Sequence, residues 1–245
     1  MQIRAENESF DSSNLNIIHV VRDLRNLTIN PPSFDDSSGT IQTLSTSTPE
    51  INHPTPFILT PSRYPTHIYE TASHLSGHTD PWDFYTLWWQ ILSYWFPAIE
   101  GYIIQQNWET PDHGEALSGQ FPSMLLEQVT FAVLYAGQPL VLLQIRGTLD
   151  STDSTRRLAR EAARQQFDRA ALWSGHPTLC VISAMGKRWN AFARPTDMTS
   201  EEAEATLGYD WFGEWTENVV STSSYEILGA CFRMLKVAGE RFLVF

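Results

Sequence analysis

The spacing of apolar residues changes character along this chain, and each change marks an element. From residue 1 to about 76, Ser, Thr, Asn and Pro dominate, as in NPPSFDDSSGT and LSTSTPEINHPTP. Short apolar pieces such as Ile17-Ile18-His19-Val20-Val21 and Phe57-Ile58-Leu59 are too sparse to bury a core alone. This stretch is expected to be an irregular N-terminal segment, extended on the body or disordered, ahead of a folded domain over residues 77–245. Its Ser/Thr-Pro steps, Thr48-Pro49, Thr55-Pro56 and Thr60-Pro61, are turn chemistry in the first instance.

Organised structure is expected from Asp80-Pro81, an N-cap followed by a proline at the first helical position. WDFYTLWWQILSYWF is apolar on nearly every face, which predicts a helix buried on most sides. GYIIQQNW (101–108) predicts a strand. Phe131, Val133 and Tyr135 alternate with Ala132, Leu134 and Ala136. Gly137-Gln138-Pro139 reads as a turn, and Leu140 to Ile145 return as a wholly apolar run. Such a run suits a central strand buried on both faces.

Ser151 to Trp173 predicts an amphipathic helix capped by Asp153 or Ser154. Leu158, Ala162, Phe167, Ala170 and Ala171 trace its apolar stripe, with five arginines off it. Thr178–Ser183 and Lys187–Arg194 predict a second hairpin across Ala184-Met185-Gly186, and residues 224–238 a closing helix. The order helix, strand, hairpin, helix, hairpin, helix makes this an α/β chain with helices layered on a sheet.

Charge adds a polarity that the apolar pattern hides. The chain carries a net charge of -12, which opposes indiscriminate binding to polyanions. Residues 146–194 nevertheless hold nine Lys/Arg against four Asp/Glu, so an anion site belongs in that block. Its candidates are Arg156, Arg157, Arg160 and Arg164 on the helix and Lys187 and Arg188 in the second hairpin. The two cysteines, Cys180 and Cys231, lack C-x-x-C spacing and read as buried free thiols of an intracellular protein. The N-terminus lacks the apolar run of a signal peptide and no stretch suits a membrane span, so no membrane partner is expected. Cytoplasm and nucleus both remain open. Gly-rich phosphate loops, zinc motifs and a local Ser-His-Asp signature are absent.

Three stretches together resemble the PD-(D/E)XK nuclease superfamily, in particular the divergent nuclease-like domains common in fungal proteins. They are the hairpin FAVLYAGQPLVLLQIR, the following helix with Gln165-Gln166-Phe167, and the hairpin TLCVISAMGKRWNAFARP with Gly186-Lys187-Arg188-Trp189. The resemblance covers roughly residues 80–245 and implies a restriction-endonuclease-like fold, a mixed β-sheet flanked by helices. In that family two acids hold Mg²⁺ and a lysine orients water or stabilises phosphate charge. The metal activates the attacking water and stabilises the leaving oxygen.

Carried over residue by residue, the aspartate position falls on Thr130, the glutamate position on Gln144 and the lysine position on Arg146. Gln144 keeps an oxygen without the charge, Thr130 offers a hydroxyl, and Arg146 can grip a phosphate but not accept a proton. The resemblance therefore implies a catalytically degenerate domain that binds nucleic acid, through the central basic block, or another protein. No metal or other cofactor is then expected. One alternative is an active Mg²⁺-dependent nuclease, a phosphodiesterase using the displaced acids Glu127 or Asp150. The loop residues Asp112, His113 and Glu115 are a weaker metal cluster. Another alternative is a protein–protein interaction scaffold built on the acidic flanks and the Pro/Ser/Thr-rich N-terminus.

Overall fold

The computed structural model describes residues 63–108, 128–148, 152–199, 201–202, 205, 211–213, 215 and 218–242. Five strands form one sheet in chain order: β1 (Tyr102–Gln106), β2 (Gln128–Tyr135), β3 (Gln138–Arg146), β4 (Thr178–Met185) and β5 (Arg188–Pro195). All neighbours are antiparallel except β3 and β4, which run parallel. A parallel pair needs a crossover, and α3 (Asp153–Ala171) supplies it. The other face carries α1 (Thr66–His74), α2 (Tyr85–Trp95) and α4 (Thr222–Phe242). The chain is thus an α/β fold with a mixed sheet between helical layers.

The apolar run of β3 is what both layers share. Val141, Leu143 and Ile145 join the larger core with Trp88, Ile182 and Phe232, while Leu142 joins Phe167, Val181 and Phe192 beneath α3. The turn before β3 is Ala136-Gly137, one residue earlier than the apolar pattern suggested, and both residues have positive φ (51° and 80°). That is the backbone twist a two-residue hairpin turn requires. Gln138 and Pro139 already belong to the strand. Pro139 has no N–H to give the ladder, and the register shifts there, between Val133 and Leu134 on β2. The second hairpin likewise turns at Gly186-Lys187, with Ala184 and Met185 inside β4.

Three other expectations are corrected. The segment read as irregular up to residue 76 contains α1, whose Ile68 and Ala72 are buried together with Tyr64 just before it. The i,i+4 spacing of these three residues was hidden among Thr, His and Ser. Residues 1–62 lie outside the described residues. On α3 the cap is Thr152, whose Oγ1 accepts from the Thr155 N–H at 3.2 Å, in place of Asp153 or Ser154. Its buried stripe is Ala159, Ala163, Phe167 and Ala170, whereas Leu158 is exposed. Small side chains let the helix lie close to the sheet, so size outweighed hydrophobicity in choosing the face.

Asp80 caps as expected: its Oδ1 accepts from the Trp82 N–H at 2.8 Å, and Pro81 opens a 3₁₀ turn that leads into α2. Trp95 on α2 ties separate parts of the chain together. Its Nε1 donates to the Tyr64 hydroxyl at 3.3 Å, its ring lies 5.1 Å from that of Tyr225, and Arg233 lies over it at 5.7 Å. Cys180 and Cys231 are both buried free thiols with sulfurs 3.9 Å apart, joining β4 to α4. Among the described residues no helix is long and apolar enough to cross a membrane.

Gly229 is where α4 passes Trp95: a Cβ there would stand 2.5 Å from Cη2 of the indole. Gly229→Ala is expected to cost about 1–3 kcal/mol through overpacking, despite the better helix propensity of alanine. A urea midpoint at or above wild type would refute this. His176 is buried, its Nε2 donates to the Tyr135 carbonyl at 3.1 Å, and burial lowers its pKa below the ordinary 6.5. A His with a lowered folded pKa stabilises the fold above its unfolded pKa and loses that contribution as pH falls below it. Wild-type stability should therefore decline below about pH 6.5, and more steeply than that of His176→Gln, in urea titrations between about pH 6.5 and 5.

Candidate functional site

Strand register sorts the α3 face of the sheet into rows. Ala132, Leu142, Val181 and Phe192 are cross-strand partners and form an apolar row. The next row toward the C-terminal end of β3 is Thr130, Gln144, Ser183 and Asn190, polar throughout. Beyond it lie Arg146, Met185 and Arg188. The three positions singled out in sequence, Thr130, Gln144 and Arg146, therefore do converge. Ser183 and Asn190 join them, and neither was anticipated. In sequence Ser183 stands out only as a polar residue inside the apolar run of β4, and it is the parallel pairing that places it beside Gln144.

Gln144, Arg146 and Ser183 are buried, and their polar atoms meet one another. Arg146 Nη2 donates to Gln144 Oε1 at 2.7 Å, and Arg146 Nη1 donates to Ser183 Oγ at 3.0 Å. A guanidinium can only donate, so Gln144 must turn its oxygen to Arg146 and its NH₂ away. That NH₂ donates to Gln166 Oε1 of α3 at 2.6 Å, with the Ala162 carbonyl at 3.5 Å. Asn190 Nδ2 donates to the Gly213 carbonyl at 2.7 Å. Ala159, Met185 and Trp215 pack into a small apolar cluster on this face. Desolvation pushes the Arg146 pKa down to about 10, which still leaves it protonated at neutral pH.

This arrangement limits the chemistry. Amides, hydroxyls and a guanidinium offer a divalent cation neutral oxygens beside a fixed positive charge. Among the described residues no group of three His, Cys, Asp or Glu side chains could hold a metal ion. Glu127 and Asp150, the displaced acids, lie outside the described residues, as do Asp112, His113 and Glu115.

The six cations proposed from sequence separate into two groups. On α3, Arg156 meets Asp153 at 3.7 Å, Arg164 meets Glu161 at 3.9 Å, and Arg160 lies 5.6 Å over the Trp211 ring. These three sit one helical turn apart along the edge of the buried stripe, half-buried, while Arg157 is exposed. Lys187 and Arg188 belong to the β4–β5 hairpin. Lys187 Nζ donates to the Ala72 carbonyl at 3.2 Å near the end of α1, and Arg188 is exposed.

No known protein family, no curated protein and no solved structure matches this chain.

Gln144→Leu removes the acceptor for Arg146 Nη2 inside the core and is expected to cost about 1–3 kcal/mol. Adding Arg146→Met replaces the polar pair with apolar volume and should recover part of that loss. Chemical denaturation of both variants tests this; a double variant less stable than Gln144→Leu alone would count against the network.

Proposed function

We propose that this chain is a nuclease-like domain, restriction-endonuclease-like in architecture, that does not cleave and acts as a binding module. The observation that carries the reading is the bond between Arg146 and Gln144. The resemblance puts the metal-binding glutamate and the lysine of the family at these two positions. Here they satisfy each other inside the protein. Phosphodiester hydrolysis in that family needs a metal-activated water. A protonated Arg146 cannot take a proton from it, and neither Gln144 nor Thr130 brings the negative charge that secures the ion. The crossover helix between two hairpins, with Gln166 reaching Gln144, supports the family reading.

Of the two binding forms, a protein partner is better supported than nucleic acid. Arg156, Arg160 and Arg164 already direct guanidinium contacts to neighbours in the chain, and the overall charge of -12 opposes a polyanion.

The test is incubation of the full chain with single- and double-stranded DNA and RNA in Mg²⁺ or Mn²⁺, with and without chelator. The expected result is no cleavage, no thermal shift with either ion, and only weak, salt-sensitive affinity for oligonucleotides. Chelator-sensitive cleavage that disappears in Glu127→Gln or Asp150→Asn would overturn the proposal and establish an active nuclease. Tight oligonucleotide binding at physiological salt, weakened in Arg157→Gln, would favour the nucleic-acid form.

A further inference from the structure

A cleft of about 490 Å³ opens at the C-terminal ends of the parallel pair β3 and β4. Ligands of α/β sheets commonly settle outside the carboxyl ends of parallel strands, and the volume falls within the range of small-molecule sites. Three distant pieces of chain build its walls: the loop after α1, the residues just after β3, and the β4–β5 turn with Asn218. They are bound to one another through the backbone. Thr148 donates its N–H to the Thr79 carbonyl and its hydroxyl to the His78 carbonyl, each at 3.0 Å. The Gly186 N–H donates to the Arg146 carbonyl at 3.0 Å, and the Val219 N–H to the Lys187 carbonyl at 2.8 Å. A Cβ at Gly147 would collide with the Thr79 carbonyl, so this approach is available to glycine alone. The walls are thus tied together before any ligand arrives.

The charge on those walls runs against the rest of the chain. Acidic side chains outnumber basic ones by 28 to 16 over the whole sequence, yet among the described residues the lining holds Lys187 and Arg188 and no carboxylate. Asp83 stands near this rim, and it is engaged by His78 at 3.0 Å. Thr79, Thr148 and Asn218 add hydroxyl and amide groups, and the half-buried Leu75 supplies apolar surface, whereas Phe84 and Met185 are almost wholly buried. None of the α3 arginines lines the cleft.

We propose that this cleft binds a small organic anion, whose phosphate or carboxylate group is held by Arg188 and Lys187 while its apolar body lies against Leu75. Arg188 is the better test residue: it is exposed at the first position of β5, so its loss leaves the core intact. Lys187 also serves the end of α1, so its replacement lowers basal stability as well. The site is separate from the buried Gln144–Arg146 pair, and the inference holds whether or not the domain cleaves nucleic acid.

The experiment is thermal unfolding and calorimetric titration of the full chain with inorganic phosphate and, separately, acetate, against chloride at constant ionic strength. The expected result is saturable stabilisation that is roughly tenfold weaker in Arg188→Gln, the loss of one charge-assisted contact. Arg157→Gln, an exposed cation on α3, should behave as wild type. A response to phosphate alone identifies a phosphorylated ligand, and a response to both identifies carboxylates as well. Absence of saturation with either anion, or an undiminished response in Arg188→Gln, overturns the proposal.

Discussion

A strand buried on both faces cannot hand a polar side chain to water, and β3 is such a strand. That constraint governs most of the molecule. Five apolar residues of β3, Leu140 to Leu143 and Ile145, hold the helical layers to the sheet, and the two polar ones that flank Ile145, Gln144 and Arg146, must be satisfied from within. The solution recruits three elements. Ser183 arrives because β4 is parallel to β3, and Gln166 because α3 crosses between them. Among the described residues the protonated guanidinium meets the neutral dipoles of Gln144 and Ser183, and desolvation lowers its pKa. A buried unpaired polar atom costs about 1–3 kcal/mol, so each partner is as much a condition of folding as the apolar residues are.

The electrostatic map follows from the same architecture. A basic block in sequence becomes two arrangements in space, because its arginines at 156–164 lie on the crossover helix and Lys187 and Arg188 at the β4–β5 turn. The α3 arginines lie along the seam between helix and sheet and meet Asp153, Glu161 and the Trp211 ring. The hairpin cations stand at a different boundary, between the sheet end and the loop after α1.

What the sequence made legible was periodicity. The alternation in β2, the unbroken apolar run of β3 and the capping by Asp80 placed the elements in their observed order. Smaller preferences escaped it. Thr152 caps where Asp153 was expected because the cap is decided by where the chain leaves its extended conformation, at ψ 161°. Ala159 and Ala163 face the sheet where Leu158 was expected because clearance matters more than hydrophobicity at that seam. α1 escaped because three apolar residues in nine positions carry little signal until Trp95 and Tyr225 provide something to pack against. The site positions Thr130, Gln144 and Arg146 came from resemblance, whereas Ser183 and Asn190 became visible only once strand register was known.

The irregularity beside Pro139 acts as a change of reading frame. From the turn, Tyr135 pairs with Gln138 and Leu134 with Pro139, but Val133 then pairs with Val141, so Leu140 has no counterpart on β2. Regular pairing would instead have set Thr130 opposite Leu143, and Gln144 and Arg146 would have pointed into the large apolar core under α2 and α4. One supernumerary backbone residue therefore fixes the parity of everything downstream on β3. It decides which helical layer receives the polar pair, and shortening the strand by that residue would exchange the two faces without altering a single side chain beyond it.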